Sequence, residues 1–290
     1  MPNTPLTVVR SKSDLSDAIA NIHYSRRRVG FVPTMGALHN GHLSLIDLAR
    51  TKSDFVVASI FVNPTQFAPG EDFDTYPRDE SADLEKLASA GCDLVYLPTV
   101  DEMYPPGSLT EIRVPGISDL LDGVYRPHFF YGVTTVVARL FVHVQPDVAV
   151  FGEKDFQQLQ IIRQMTRDLG FDIEIVGGQT QREPDGLAQS SRNRYLSAAD
   201  RQIAGGLQAA LQRAAARLAA GGDLTTVLSE ARAFLKAAGF DKVDYISAVG
   251  SNTLESLPKD RALWPDEKRL LGAAWIGNTR LIDNIDFVTD

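Results

Sequence analysis

The sequence predicts an α/β fold: a domain built on a parallel sheet, followed by a smaller α+β domain. Short apolar runs rich in β-branched residues alternate with helical patterns through the first part of the chain. Runs that are apolar at consecutive positions are typical of strands buried on both faces, as in a parallel sheet. Alternation of strands with helices is typical of α/β proteins. The pattern changes near residue 177, which predicts domains of 1–177 and 178–290.

Six apolar runs are the predicted strands of the first domain, and five helices are predicted between and after them. The strands are Leu6–Val9, Val29–Val32, Phe55–Val62, Leu94–Leu97, Val148–Phe151 and Ile173–Val176. The helices are Asp14–His23, Leu43–Arg50, Ser81–Ala90, Gly132–Val144 and Phe156–Leu169. Ser11 and Ser13 are candidate N-caps of the first helix. Gly91 and Gly170 lie where glycine commonly ends a helix.

The second domain begins with a turn-rich segment and continues with two helices that each carry an Ala/Leu face. The segment 177–186 (GGQTQREPDG) is predicted to be a linker or turn region. The helices span 207–218 and 224–235, and two further strands are predicted at Val243–Val249 and Leu270–Ile276. In the first domain, residues 98–127 form a long Pro- and Gly-rich stretch. Loops of that length are usually functional or insertions.

Composition excludes several classes of protein. With 290 residues, 44% hydrophobic and 23% charged, the chain has ordinary globular usage and is not mainly disordered. No apolar run approaches the roughly 20 residues of a membrane helix, and no signal peptide is evident, so we expect a cytoplasmic protein without a membrane partner. Cys92 is the single cysteine, which excludes an intrachain disulfide and a multi-Cys zinc site. A net charge of −8 argues against nucleic-acid binding, which usually needs a basic excess.

Two histidines follow the second predicted strand within one tetrapeptide. In FVPTMGALHNGH the strand ends at Pro33, a turn follows, and a helix begins near Gly41. A strand end that opens into a helix N-terminus is where α/β proteins bind ligands, and the N–H groups and dipole there favour phosphate. His39 and His42 share one face of the first turn and can hydrogen-bond phosphoryl oxygens. The alternative is a surface or zinc-binding pair, but zinc usually takes three or four protein ligands and no third is nearby in sequence.

Three further polar segments indicate ligand chemistry. Asn63 and Gln66 in NPTQF offer amide donors and acceptors for hydroxyl and carboxylate groups, although Asn-Pro is also a common turn dipeptide. Lys154 in GEKD would direct an ammonium toward phosphate, although a capped helix with an exposed Lys–Asp pair would use the same residues. The segment 189–194 (QSSRNR) suits phosphate recognition, although it would also serve as a capping turn. The chain has no Walker A, GxGxxG or GxSxG motif.

Five separated motifs together resemble the pantoate–β-alanine ligase family. They are PTMGALHNGH, SIFVNPTQF, YPRD, FGEKDFQQL and SSRNRYLS, in this order along nearly the whole chain. HNGH is similar to the HxGH phosphate signature of the wider nucleotidyltransferase superfamily. The resemblance implies a Rossmann-like domain that binds ATP and pantoate, a lid-like C-terminal domain, and a homodimer. It also implies ATP-dependent condensation of pantoate with β-alanine through pantoyl adenylate, with Mg²⁺ as cofactor.

The resemblance also assigns site residues. For ATP they are Met35, Gly36, His39, Gly41, His42, Gly152, Glu153, Lys154, Asp155, Gln181, Gln189, Ser190, Ser191 and Arg192. The catalytic residues among them are His39, His42, Lys154 and Arg192, with Asp155 at the ribose and a backbone contact from Gln181 to adenine. For pantoate they are Gln66 and Gln158, with Asn63 beside them, and Asp83 matches an acidic position associated with magnesium.

The sequence departs from the family pattern at one place. The family reads R-P-x-H-F-x-G-V, whereas this chain has RPHFFYGV at 126–133, so that His128 lies one position early. No role is carried over to His128. Three other functions remain open: an adenylyltransferase for a different acid, a nucleotide-binding protein without activity, and a synthetase-like RNA-binding module, which the acidic balance disfavours.

Overall fold

The computed structural model describes residues 6–68 and 70–289, which divide into two compact units. The first unit consists of residues up to 118, 126–153 and 158–179; the second consists of 119–125, 154–157 and 180 onwards. Residues 1–5 and Asp290, which the predicted domain ranges include, lie outside the described residues. Among those that are described, no helix combines the length and apolar character needed to cross a bilayer.

The described part of the first unit contains a six-stranded sheet in which every pairing is parallel. Its strands are β1 (Thr7–Val9), β2 (Val29–Thr34), β3 (Phe55–Ile60), β4 (Leu94–Tyr96), β5 (Val148–Gly152) and β6 (Glu174–Gly178), in the order β1-β4-β3-β2-β5-β6. The inner strands are apolar and buried, as in the run Val29–Val32 of β2. The parallel sheet predicted from the apolar runs is confirmed.

Helices connect these strands. They are α1 (Lys12–Tyr24), α2 (Asn40–Lys52), α3 (Glu80–Ser89), α4 (Val100–Met103), α6 (Phe129–Val144) and α7 (Phe156–Asp168), with the short α5 (Asp122–Tyr125) preceding α6. The Ser11 hydroxyl accepts a hydrogen bond from the Asp14 N–H and caps α1. Gly91 follows α3 with a φ of 76°, a left-handed value that glycine accommodates.

The strand order reverses between β2 and β5, which lie side by side although they are distant in sequence. In open parallel sheets, ligands bind outside the carboxyl ends of the strands at such a switch point. The loops that follow β3, β2 and β5 begin at neighbouring strand ends, because those three strands are adjacent. They carry the NPTQF, HNGH and GEKD segments singled out in the sequence.

In the second unit, helices pack on an antiparallel sheet. The helices are α8 (Ala198–Ile203), α9 (Gly206–Ala219) and α10 (Leu224–Ala237), and the described strands are β7 (Lys242–Gly250), β8 (Lys268–Ile276) and β9 (Thr279–Asp286), paired in the order β7-β8-β9. The Ala/Leu faces of α9 and α10 meet the sheet in one core, which includes Leu211, Leu235 and Ile246. The predicted α+β composition is therefore confirmed.

Two features of the second unit differ from the sequence-based prediction. Strand β9 was not predicted, although Gly277-Asn278 between two runs is a hairpin signal. The segment at 177–186, predicted to be a linker or turn region, ends β6 and then forms the turn of a tight hairpin, so that the turn is present but the segment is not a linker. In this hairpin the Gln189 N–H donates to the Gln181 carbonyl at 2.9 Å and the Glu183 N–H donates to the Leu187 carbonyl at 2.8 Å.

A buried ion-pair cluster fixes the 119–125 segment to the C-terminal sheet. Arg280 donates to Asp122 Oδ1 at 2.6 Å and to Asp244 Oδ2 at 2.8 Å, and its side chain is 12% exposed. The Tyr245 hydroxyl also donates to Asp122 Oδ1, at 3.0 Å. Burial opposes the charge of the guanidinium, but the two carboxylates outweigh it and raise the pKa of Arg280 above its ordinary value. Arg280 therefore keeps its positive charge at neutral pH.

We expect Arg280→Met to destabilise the second unit by about 3–5 kcal/mol, because it leaves the buried Asp122 carboxylate without its cation. Arg217→Met is the matched control, since Arg217 pairs with Glu230 while both side chains are about half exposed, and should cost about 0–1 kcal/mol. The free energy of unfolding is measured by urea denaturation monitored through tryptophan fluorescence, because Trp264 and Trp275 both lie in the second unit. Equal losses in the two variants would contradict the expectation.

Candidate active site

The loop between β2 and α2 turns through two left-handed residues. Gly36 has a φ of 81° and Ala37 a φ of 52°. The Gly36 N–H donates to Thr34 Oγ1 at 3.2 Å, and the Thr34 hydroxyl donates to the Ser59 carbonyl of β3 at 2.8 Å. The loop is thus attached to the neighbouring strand before it reaches the histidines.

His39 and His42 form a reciprocal cap at the start of α2. His39 is the N-cap residue: its Nδ1 accepts from the Gly41 N–H at 3.1 Å, while His42 Nδ1 accepts from the His39 N–H at 3.3 Å. The ring centroids are 4.1 Å apart. Both rings therefore sit at the first turn of the helix, as their spacing predicted.

These backbone bonds select one tautomer of each ring. Because each Nδ1 accepts a hydrogen bond, the neutral imidazole must carry its proton on Nε2. An Nε2–H is a donor of the kind that a phosphoryl oxygen accepts. The N-terminus of α2 adds the positive end of a helix dipole. This end of the helix is chemically suited to an anion.

Asp83, on α3, is buried against the same loop. Its Oδ2 accepts from the Ala37 N–H at 2.7 Å and its Oδ1 from the Leu38 N–H at 2.8 Å, while its side chain is 3% exposed. Lys86, one turn further along α3, donates to the Leu38 carbonyl at 2.9 Å and lies 3.9 Å from Asp83 Oδ1. The carboxylate is directed at the backbone of the loop.

The amides after β3 are brought together with the β2 loop. Asn63 Nδ2 donates to Gln66 Oε1 at 3.2 Å, and Gln66 Nε2 contacts the Met35 sulfur at 2.9 Å. Asn63 is 1% exposed and Gln66 is 9% exposed. The side-chain Oδ1 of Asn63 accepts from the N–H and the hydroxyl of Thr65 at 3.3 and 3.0 Å. Asn63 thus holds the turn that presents Gln66.

Two residues that sequence reasoning did not single out support this turn. The Tyr104 hydroxyl donates to Asn63 Oδ1 at 2.8 Å, and burial raises the pKa of Tyr104, so the phenol keeps its proton. A Cβ built on Gly132 would lie 2.5 Å from the Thr65 carbonyl oxygen, so α6 approaches the turn as closely as glycine allows. Tyr104 lies in the long 98–127 stretch, which was a sequence signal for function.

The remaining predicted residues of the first unit lie on β5, α7 and α6. Gly152 ends β5, Glu153 follows it, and Gln158 is half-buried in the first turn of α7. Arg126 pairs with Glu71 at 2.7 Å and lies 3.8 Å above the Phe129 ring. His128 is exposed at the N-cap of α6.

Lys154 and Asp155 belong to the second unit. The ammonium of Lys154 is 3.6 Å from Asp155 Oδ1; the Lys154 side chain is 19% exposed and that of Asp155 is 46% exposed. The Lys154 carbonyl accepts from Asn284 Nδ2 at 2.9 Å, and Asn284 Oδ1 accepts from Arg269 at 2.6 Å. Lys154 is therefore mostly buried, and its backbone is attached to β9.

The segment from Gln181 to Arg192 forms the hairpin described above and a capped turn. The Ser190 hydroxyl accepts from the Arg192 N–H at 3.3 Å and caps the 3₁₀ turn Ser191–Tyr195. Asn193 donates to the Ala188 carbonyl at 3.0 Å. The capping function considered as an alternative is thus present. The cap also fixes Gln189, Ser191 and Arg192 relative to the hairpin.

Comparison with known proteins gives these residues a context. The model of the Pantoate-beta-alanine ligase family matches residues 7–286 of the chain. The pantothenate synthetase of Hyphomonas neptunium is 61% identical over 97% of this chain and 96% of its own. That of Caulobacter vibrioides is 51% identical over 96% of this chain and 97% of its own.

Solved structures extend the likeness to three dimensions. The crystal structure of pantothenate synthetase from Thermus thermophilus has a TM-score of 0.90 at 46% identity and covers 97% of this chain and 99% of its own. The ligase from Francisella tularensis, crystallised with beta-gamma ATP and beta-alanine, has a TM-score of 0.81 at 35% identity and covers 97% of both chains. The chain therefore belongs to the pantoate-beta-alanine ligase family, and the enzyme class predicted from its sequence, a ligase of pantoate and β-alanine, is confirmed.

Proposed function

We propose that this chain joins (R)-pantoate to β-alanine with ATP as the energy source, through a pantoyl-adenylate intermediate. The observation that carries the proposal is the His39–His42 cap at the N-terminus of α2, placed where the parallel sheet reverses its strand order. The Francisella tularensis relative, crystallised with an ATP form and β-alanine, supports both as ligands. Membership of the family supports pantoate as the acid.

Two steps account for the reaction. A carboxylate oxygen of pantoate attacks the α-phosphorus of ATP; the bond to the bridging oxygen of the β-phosphate breaks, and pyrophosphate leaves. The amine of β-alanine then attacks the acyl carbon of the adenylate, loses a proton, and displaces AMP. In the first step, two anions must approach each other. Nucleotidyl transfer of this kind depends mainly on positioning and on donors that stabilise charge.

We assign the donors from the family resemblance. In the first unit His39 and His42 bind phosphate oxygens through Nε2–H, beside Met35, Gly36 and Gly41, and Gly152 and Glu153 contact the nucleotide. In the second unit, Lys154 and Arg192 bind phosphate, Asp155 the ribose and Gln181 the adenine, with Gln189, Ser190 and Ser191 beside them. The tautomers of the two histidines, which place protons on Nε2, support their part of this assignment. We assign His42 an electrostatic role in preference to proton donation.

We assign pantoate to Gln66 and Gln158. The turn that Asn63 and Tyr104 hold presents Gln66 next to the β2 loop, through its contact with Met35. The amide of Asn63 is committed to Gln66, Gly132, Thr65 and Tyr104. Its assignment to pantoate is therefore indirect: Asn63 fixes the position of Gln66.

Asp83 does not fit a magnesium site. Both of its oxygens accept backbone N–H groups inside the protein. Among residues 6–68 and 70–289, no three His, Cys, Asp or Glu side chains are grouped to hold a metal ion. A magnesium requirement and a homodimer stay predictions drawn from the family resemblance, and a cytoplasmic location stays a prediction drawn from the sequence pattern.

Pantoate-dependent exchange of pyrophosphate with ATP, measured with Mg²⁺ and without β-alanine, tests the proposed function. We expect exchange with pantoate and none with acids that lack its hydroxyl groups, because the adenylate is formed reversibly in the first step. ATP binding without exchange would contradict an adenylate-forming enzyme. Exchange with a different acid alone would contradict pantoate as the substrate.

We expect His42→Ala and Lys154→Ala each to reduce exchange by about 10²-fold or more, because each removes a donor to the transition state. His128→Ala and Lys52→Ala are the controls, since both residues are exposed and lie outside the assigned site. Near-normal exchange in His42→Ala or Lys154→Ala, with unchanged thermal unfolding, would refute the role given to that residue.

We expect Gln66→Ala to raise KM for pantoate roughly 10-fold or more, as loss of a hydrogen bond to a charged ligand does, and to change KM for ATP far less. Gln164→Ala, which removes a half-buried glutamine of α7 paired with Asp168, is the control. Initial rates with each substrate varied in turn give both constants. An equal rise in the two constants would contradict the assignment of Gln66 to pantoate.

A further inference from the structure

The turn before His39 presents a concave set of backbone N–H groups. Gly36 and Ala37 both have positive φ, and the successive N–H groups of Ala37 and Leu38 converge on one carboxylate. Consecutive N–H groups in such turns form a nest that binds anions. Here the anion is the side chain of Asp83, which comes from α3, 45 and 46 residues away in sequence.

The conformation of this turn depends on contacts from outside the loop. A positive φ is unfavourable for a residue with a side chain, and it persists where the surroundings determine it. Ala37 is such a residue, with a φ of 52°. The next residue, Leu38, makes two hydrogen bonds to α3. Its N–H donates to Asp83, and its carbonyl accepts from Lys86 at 2.9 Å. One turn of α3 therefore holds both backbone polar groups of Leu38.

The next residue along the chain is His39. Its backbone N–H is bonded to His42 Nδ1, and its own Nδ1 caps the Gly41 N–H. The orientation of both rings depends on where the chain enters α2. That entry point is set by the Leu38 backbone that Asp83 and Lys86 hold.

We propose that Asp83 is a positioning residue, which fixes the Gly36–Leu38 turn and through it the two histidines, and that it is not a ligand of magnesium. The inference rests on the proposed function for its link to catalysis. Magnesium takes oxygen ligands in near-octahedral geometry and keeps several waters. The Asp83 oxygens, in contrast, are buried and face the positive ends of two N–H groups.

The variant Asp83→Asn distinguishes a positioning role from a role as a magnesium ligand. The amide keeps the shape of the side chain, but its NH₂ group faces a backbone N–H, so one of the two hydrogen bonds is lost and donor opposes donor. We expect kcat for exchange to fall about 10²-fold, the effect of displacing catalytic groups by about 1 Å. We expect the Mg²⁺ concentration that gives half-maximal rate to stay unchanged. Glu80→Gln is the control, an exposed acid on the same helix that pairs with Arg10.

A second readout does not depend on activity. In ¹⁵N NMR spectra of the imidazole rings of the unliganded protein, Asp83→Asn should shift the signals of His39 and His42 and leave those of His23 and His128 in place. Lys86→Met, which frees the Leu38 carbonyl but keeps the carboxylate, should shift the same two signals by a smaller amount. It also provides the test if Asp83→Asn does not fold.

Each outcome decides between the roles. A lower kcat with an unchanged Mg²⁺ midpoint and displaced His39 and His42 signals supports positioning. A midpoint raised 10-fold or more, with the rate restored at high Mg²⁺, overturns it in favour of a metal ligand. Unchanged His39 and His42 signals overturn it as well. If the wild type shows no pantoate-dependent exchange, the proposed function fails, and the ring signals still test the effect of Asp83.

Discussion

The backbone N–H groups of the loop between β2 and α2 need hydrogen-bond acceptors, and the side chains around this loop in the first unit provide them. Buried N–H groups without partners are costly, and this loop has no neighbouring strand to pair with. Thr34 accepts from Gly36, Asp83 from Ala37 and Leu38, His42 from His39, and His39 from Gly41. The side chains of the motif thus stabilise the backbone that carries them.

Side chains also satisfy backbone polar groups in the other segments singled out in the sequence. After β3, the Asn63 amide accepts from Thr65 and donates to Gln66, so that one side chain closes the turn. In the second unit, Ser190 caps the turn that carries Arg192, and Asn284 binds the backbone of Lys154. Gln66, Lys154 and Arg192 are therefore each accompanied by a polar side chain that satisfies the local backbone. A backbone that is fixed by such hydrogen bonds holds the side chains that it carries in defined positions.

The sequence predicted those parts of the molecule that local patterns determine. Apolar runs identified the parallel strands, and capping residues such as Ser11 and Gly91 marked helix ends. Strand β9 was missed because two of its buried residues, Asp283 and Asn284, are polar, which obscures the apolar alternation. The contact of Asp83 with Leu38 joins residues 45 positions apart, and no local pattern specifies such a pair. For the same reason the sequence did not show that residues 119–125 and 154–157 belong to the second unit.

Because the nest is occupied by Asp83, the proposed phosphate site relies on the two histidines of this loop. In loops that cradle phosphate with backbone N–H groups, the amides themselves are the donors. Here the amides of Gly36, Ala37, Leu38, His39 and Gly41 are bonded within the protein. In the proposed site, donors for a phosphate therefore come mainly from side chains, and the two Nε2–H groups are the donors that we propose at the helix N-terminus. The Asp83 carboxylate near the proposed anion site is compensated by two N–H groups and by Lys86 at 3.9 Å, so it can hold the turn with less repulsion toward a bound phosphate than a free carboxylate would cause.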